Sequence, residues 1–206
     1  HAMSRLPRRD LLTLFTLGAA SLVAPRSRAD AIDWQRLEID AGGSSTFATR
    51  AVALIPPNLS GDQNRLLVLL HGYSAGASDS RALRFWQRDY GVERAHLRLR
   101  EPPIARLYDT VRYLTDHRIR ELDRTLAEHP FEGMVLLCPL VPKPYFKASA
   151  GPLFEEYSNW LAERLLVQAR SALPVSAKSE DTGLAGMSMG GQFALEALAR
   201  RPEAFG

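Results

Sequence analysis

Three short apolar runs recur along the chain after residue 65, and each predicts a strand covered on both faces. They lie at 66–70 (LLVLL), 134–138 (MVLLC) and 182–185 (TGLA). Continuous runs of this length are typical of parallel sheets with helices on both sides. Upstream, the alternating residues 34–39 and the run 47–55 predict two antiparallel strands that open the sheet.

Apolar residues at helical spacing predict helices between and after these strands. The segments 154–172 and 192–200 have amphipathic patterns. The order strand, helix, strand, helix predicts an α/β fold, with a mostly parallel sheet and helices on both faces. A long insertion at about 78–132 contains a further predicted helix at 107–128. This insertion either caps an active site or is a solvent-exposed elaboration with ordinary core contacts. Tyr145 and Phe146, which follow it, either line a pocket or serve only as packing residues.

A glycine-rich motif joins the last predicted strand to the last predicted helix. Its sequence, GMSMGG, runs from Gly186 to Gly191 and fits G-x-S-x-G. Strand, serine, helix is the context in which this motif forms a nucleophile elbow. We therefore predict Ser188 as a catalytic nucleophile at the start of a helix. Gly186 and Gly190 fit because a Cβ at either position would clash with the nearby chain, and Gly191 extends the motif.

The strand at 66–70 runs into His71-Gly72-Tyr73, where acyl-transfer chemistry needs hydrogen-bond donors. A tetrahedral intermediate carries an oxyanion that preorganised N–H groups stabilise. We predict the backbone N–H groups of Met189 and Tyr73 as these donors. His71 is expected to shape the oxyanion loop with Gly72 and not to act as the general base.

These motifs, together with VLLCP at 135–139 and RPEAFG at 201–206, resemble those of the α/β-hydrolase superfamily. Within it, the chain is similar to the group of esterase D-like, feruloyl esterase-like and polyhydroxybutyrate depolymerase-like enzymes. The resemblance covers roughly residues 45–206. It implies a serine hydrolase that cleaves a small-molecule or polymer-derived carboxylic ester through an acyl-enzyme at Ser188, without a cofactor.

The sequence departs from this superfamily after the elbow. The superfamily orders its triad as serine, acid, histidine, but residues 189–206 contain no histidine and no aspartate, and their acids are Glu196 and Glu203. We therefore expect the acid and the histidine beyond residue 206, and interpret residues 32–206 as the N-terminal part of the domain, without its C-terminal strands and inactive alone. A non-catalytic binding protein or a serine peptidase of the same fold is the alternative.

Residues 1–31 have the features of an export signal. His1-Ala2 resembles a cloning scar, and the arginines around Arg8-Arg9 precede an apolar run at 11–24 and small residues before Ala31. The pair fits a twin-arginine signal, with Sec export as the alternative. The run is shorter than the roughly 20 residues of a membrane span. We expect cleavage, a periplasmic or extracellular protein, and no stable membrane anchor.

The charge distribution argues against nucleic-acid binding. The chain has a net charge of +3, but residues 1–29 hold five arginines and one aspartate, so subtracting their +4 leaves −1 for the remainder. The basicity thus belongs to the export signal. The single cysteine, Cys138, excludes an internal disulfide, and no Cys/His spacing indicates a metal site. Neither the oligomeric state nor the particular ester follows from the sequence.

Overall fold

The structure is a computed structural model that describes residues 34–57, 59, 61–73, 77–104, 115–143 and 150–206. Its strands are β1 (Gln35–Asp40), β2 (Arg50–Ile55), β3 (Leu66–Leu70), β4 (Val135–Pro139) and β5 (Thr182–Gly186). Its helices are α1 (Asp79–Ala82), α2 (Phe85–Arg88), α3 (Val92–Arg100), α4 (Asp116–Glu128), α5 (Gly151–Trp160), α6 (Leu166–Ala172) and α7 (Met189–Arg200). A π-helical turn, Leu161–Leu165, joins α5 to α6, and short 3₁₀ turns occupy Ser179–Asp181 and Pro202–Ala204.

The five described strands form one mixed sheet in the order β1-β2-β4-β3-β5. β1 pairs antiparallel with β2, and β2 pairs antiparallel with β4. β3 lies between β4 and β5 and is parallel to both. The crossovers that parallel pairing requires are the helical segments. The carboxyl ends of β3 and β5 therefore lie side by side, which brings the chain after Leu70 next to the chain after Gly186.

The larger core lies between one face of the sheet and helices α5, α6 and α7. Within this core, the ring of Phe193 of α7 meets Phe154 and Tyr157 edge-on, at centroid separations of 4.7 and 5.1 Å. Aromatic rings in this arrangement stabilise a core beyond the area that they bury. The strands supply small and branched residues to this face, among them Ala51, Ala53, Val68, Leu70, Val135 and Leu137.

A smaller core covers the opposite face. Alternate residues of β2 and β4 point there, as the period of a strand requires: Val52, Leu54, Leu136 and Cys138. The short helices α1, α2 and α3 close it, with Phe85, Trp86 and Val92 only partly buried. The two cores together make the three-layer arrangement of helices, sheet and helices.

The predicted α/β fold is confirmed, with small shifts at the element ends. The antiparallel opening strands, the three apolar strands and both amphipathic helices are present, although β2 begins at Arg50 and α7 already begins at Met189. The prediction of one continuous helix over 107–128 is wrong, because the chain is not helical at Thr115. The observed helix starts at Asp116, because Thr115 is extended (φ −73°, ψ 157°) and its side chain accepts from the Arg118 N–H as an N-cap.

Three sequence predictions concern parts of the chain outside the described residues. They are the export signal in residues 1–31, the first part of the helix predicted over 107–128, and the loop aromatics Tyr145 and Phe146. In the part of the chain that the structure does describe, no helix combines the length and the hydropathy that membrane crossing demands.

Candidate functional site: the elbow and the oxyanion loop

Ser188 has the backbone strain that a nucleophile elbow imposes. It lies between the end of β5 and the first residue of α7, with φ 54° and ψ −118°. Among the described residues it is the one non-glycine with a positive φ. Such a conformation costs about 1–3 kcal/mol and persists only where the surrounding structure enforces it. The turn leaves Ser188 exposed, beside the positive end of α7.

The glycines enforce this turn through backbone contacts. A Cβ on Gly186 would stand 2.2 Å from the carbonyl oxygen of Gly190, and a Cβ on Gly190 would stand 2.2 Å from that of Leu70. A Cβ on Gly191 would lie 3.2 Å from the Gly186 oxygen. The first helical turn of α7 is thus pressed against the ends of β3 and β5. No side chain at 186 or 190 is compatible with so close an approach.

The loop after β3 lies directly against Ser188. A Cβ on Gly72 would be 3.5 Å from Ser188 Cβ and 3.3 Å from the Met187 carbonyl oxygen. The Met187 N–H donates to the Leu70 carbonyl at 3.1 Å, which ties the elbow to the loop. Tyr73, the next residue, has a half-exposed side chain, with 48% of its surface accessible. The structure therefore brings the predicted oxyanion segment and Ser188 together.

Met189 has the geometry of a first-turn helical residue. Its side chain is buried in the larger core, which fixes the start of α7. The N–H groups in the first turn of a helix have no acceptor within the helix. In contrast, the N–H of the next residue, Gly190, donates a hydrogen bond to the Met187 carbonyl at 2.9 Å. The Met189 N–H is thus a first-turn amide next to the serine.

His71 braces the loop after β3 with both ring nitrogens. Nδ1 lies 2.8 Å from the Gly72 carbonyl oxygen, so the tautomer that satisfies both contacts carries its proton there. Nε2 then accepts from the Val141 N–H at 3.1 Å. The ring is buried and contacts Phe85, and burial lowers the pKa of His71. It is a neutral link between the β3 and β4 loops, with no nitrogen directed to the serine.

The other described histidines also have structural partners. His96 Nε2 accepts from the Met134 N–H at 3.2 Å, and burial lowers the pKa of His96 to about 4. His117 pairs with Glu121 on the exposed face of α4, and His129 is the C-cap residue of that helix. Within the described ranges, Ser188 makes no hydrogen bond to a histidine. The same residues contain no group of three or more His, Cys, Asp or Glu placed to hold a metal ion.

Sequence reasoning missed one residue at this site, Tyr90. Its hydroxyl oxygen lies 3.5 Å from the Cβ position of Gly72, on the loop that contacts Ser188. The ring packs against Trp86, with centroids 4.9 Å apart, and against Phe85 at 6.3 Å. Tyr90 follows α2, a helix of four residues. Hydrophobic periodicity over so short a helix does not indicate which of its faces is buried. A tyrosine two residues after an arginine carries no motif signal.

Comparisons with known proteins agree with this geometry. Residues 139–206, which include the elbow, match the family described as Putative esterase. A ferulic acid esterase of the anaerobic fungus Anaeromyces mucronatus has the same fold at 15% identity, with a TM-score of 0.50 over 86% of this chain and 58% of its own. The complex of this enzyme with ferulic acid has 17% identity and a TM-score of 0.50, over 86% of this chain and 57% of its own. Another structure, described as a ferulic acid esterase, has 15% identity and a TM-score of 0.51, over 84% of this chain and 56% of its own. No curated protein matches.

The sheet and the elbow thus have the arrangement of an α/β-hydrolase-like fold, which the ferulic acid esterase structures share. The predicted resemblance to an esterase group is confirmed by the family match over residues 139–206. The chain spans somewhat more than half the length of the ferulic acid esterase structures that it resembles.

Proposed function

We propose that the protein to which this chain belongs hydrolyses carboxylic esters through an acyl-enzyme on Ser188. The observation that carries the proposal is the strained backbone of Ser188, held against Gly72 of the oxyanion loop. A positive φ at a serine costs free energy, and such strain is concentrated at functional sites. The match of residues 139–206 to an esterase family supports the same chemistry.

The proposed reaction follows from the positions of these groups. Ser188 Oγ attacks the ester carbonyl carbon and loses its proton to a base, while the carbonyl oxygen becomes an oxyanion facing the N–H groups of Met189 and Tyr73. Collapse of this intermediate breaks the bond to the leaving alcohol, which takes up a proton, and leaves the acyl group on Ser188. Water then attacks the acyl-enzyme and releases the acid and the free serine. The histidine and acid of the triad are proposed to come from beyond residue 206.

A small-molecule or polymer-derived ester is the proposed substrate. One solved structure with this fold holds ferulic acid, a hydroxycinnamate. Esters of aromatic acids are therefore a reasonable class to assay first, beside short acetyl esters. The exposed position of Ser188 and of the neighbouring Met187 supports a site that a substrate can reach directly.

A fluorophosphonate probe tests the nucleophile in the full-length gene product. We expect covalent labelling of Ser188, and we expect Ser188→Ala to abolish both labelling and hydrolysis of p-nitrophenyl acetate. Removal of a triad serine leaves only about 10³–10⁴-fold catalysis over water. Ser171→Ala is the matched control, because Ser171 is an exposed serine at the end of α6. The Ser171→Ala protein should be labelled by the probe and should hydrolyse p-nitrophenyl acetate at the rate of the wild type.

Three results would contradict this function. Labelling that survives in the Ser188→Ala protein would place the nucleophile elsewhere. A wild-type protein that hydrolyses no ester but binds one would favour the non-catalytic alternative of the same fold. Cleavage of peptide substrates at a higher rate than esters would favour a serine peptidase.

We also infer that the protein is exported with removal of residues up to about Ala29 or Ala31. The basic start, the short apolar run and the small residues that follow support this inference. Mass spectrometry of the protein isolated from its natural host should find a first residue near Asp30 or Ile32. A mature protein that still begins at Met3 would contradict export by signal cleavage.

A further inference from the structure

Tyr90 belongs to the long insertion, yet its hydroxyl lies at the oxyanion loop. The Cβ position of Gly72 is 3.5 Å from Tyr90 Oη and also 3.5 Å from Ser188 Cβ. Two separations of 3.5 Å place the hydroxyl oxygen at most 7.0 Å from Ser188 Cβ. A carbonyl group attached through its carbon to the serine oxygen can span a separation within this limit, so that its own oxygen comes within hydrogen-bond reach of the tyrosine.

The tyrosine ring is held in place by aromatic packing. It meets Trp86 edge-on at 4.9 Å and lies 6.3 Å from Phe85, and the Phe85 ring in turn contacts the buried His71 at 5.6 Å. This row of rings connects the insertion to the residue that braces the oxyanion loop. The hydroxyl therefore has a fixed position relative to Gly72. A donor that is fixed before the substrate binds needs little reorganisation during the reaction.

The chemistry of the hydroxyl suits a donor. Burial raises the pKa of Tyr90, so its proton stays on the oxygen at neutral pH. The nearby backbone of Gly72 offsets part of this rise in the pKa of Tyr90. A phenolic hydroxyl has one proton to donate and lone pairs to accept. The hydroxyl of Tyr90 can therefore donate its proton to a substrate oxygen.

The glycine at position 72 is required by the same arrangement. A side chain there would lie between Ser188 and Tyr90 and would meet the Met187 carbonyl oxygen at 3.3 Å. Both groups are accessible from outside, because 37% of the surface of Tyr90 is accessible and Ser188 is exposed. A substrate entering at Ser188 therefore meets Tyr90 at the same time.

We propose that the Tyr90 hydroxyl is a further hydrogen-bond donor to the ester oxygen held beside Ser188, in addition to the two backbone N–H groups. The proposal rests on the proposed esterase function and assigns part of the insertion to the active site. Its effect is exerted in the transition state, where the charge on that oxygen is largest. Tyr90 thus adds a side-chain donor to the backbone pair that the motifs predict.

The test is the variant Tyr90→Phe in the full-length gene product, which removes the hydroxyl and keeps the ring against Phe85 and Trp86. We expect kcat for p-nitrophenyl acetate to fall at least about tenfold with KM nearly unchanged, because the lost contact is strongest in the transition state. The rate of fluorophosphonate labelling at Ser188 should fall as well, since the phosphoryl oxygen occupies the same place. The melting temperature should stay close to that of the wild type.

Tyr157→Phe is the matched control. Tyr157 also loses a hydroxyl that makes a hydrogen bond, to the Leu140 carbonyl at 2.9 Å, but it lies buried in the larger core. It should lower the melting temperature and leave kcat unchanged. An unchanged kcat in Tyr90→Phe, or a rise in KM alone, would overturn the role of Tyr90 while Ser188→Ala is still inactive. Hydrolysis that survives Ser188→Ala would overturn the proposed function itself, and the role of Tyr90 with it.

Discussion

The two faces of the sheet are built in different ways. On the larger face, long helices bury complete stripes of apolar side chains, and rings such as Phe193 are almost fully enclosed. On the smaller face, two helices of four residues and the arginine-rich α3 cover the strands with partly buried residues. The larger face fixes the serine through α7, whereas the smaller face supplies Tyr90 through the α2 end. The difference teaches that the densely packed face holds Ser188, whereas the less completely buried face holds Tyr90 beside it.

The junction of α7 with the sheet should be the least tolerant position. We expect Gly190→Ala to destabilise the protein by more than about 4 kcal/mol, because its Cβ would stand 2.2 Å from the Leu70 carbonyl oxygen and the backbone would have to move. Gly151→Ala is the control, since a Cβ there meets nothing within 4 Å. Urea unfolding of the two variants measures the difference. Similar stabilities would show that the start of α7 is not held as tightly as this geometry indicates.

Truncating one phenylalanine on each face compares the two cores directly. Phe193 is 1% exposed, so Phe193→Ala should cost about 3–5 kcal/mol of unfolding free energy. Phe85 is only partly buried against the smaller core, and Phe85→Ala should cost roughly half as much. Chemical denaturation gives both values. Equal losses would contradict the view that the smaller face is the more loosely packed one.

The smaller face should also respond to acid through His96, which packs edge-on against Trp34 and Phe131. Burial lowers the pKa of His96 from 6.5 to about 4, so between these values the unfolded chain binds the proton and the folded protein does not. Stability from this group is complete above pH 6.5 and is lost as the pH falls toward 4. The loss at pH 4.5 should be about 2–3 kcal/mol.

Measuring the free energy of unfolding of variants at pH 7 and pH 4.5 isolates the contribution of His96. In His96→Gln the amide oxygen can still accept from the Met134 N–H, and the pH-dependent loss should shrink. His117→Gln is the control, because His117 lies exposed on α4 with its ring near Glu121. If His96→Gln keeps the wild-type acid dependence, another group is responsible, and His71, whose pKa burial also lowers, is the first to test.

The sequence by itself determined the elements whose signals are local. The apolar runs gave β3, β4 and β5, and the G-x-S-x-G motif between strand and helix predicted the turn at Ser188, because tight backbone contacts admit only glycine at 186 and 190. The parallel direction of the apolar strands also followed from the alternation of strands and helices. These features depend on a few neighbouring residues, so a single sequence is enough to predict them.

Tertiary structure alone decided what lies beside the serine. Tyr90 is 18 positions from Gly72 in sequence, and the helices before it are too short for a periodic pattern to indicate which face they bury. Its place depends on how Phe85 and Trp86 pack on the smaller core, which is a property of the assembled sheet. In the same way, both nitrogens of His71 are occupied only because β3 and β4 are adjacent and bring the Val141 N–H to its ring. Contacts between distant segments are set by packing, and no local pattern encodes them.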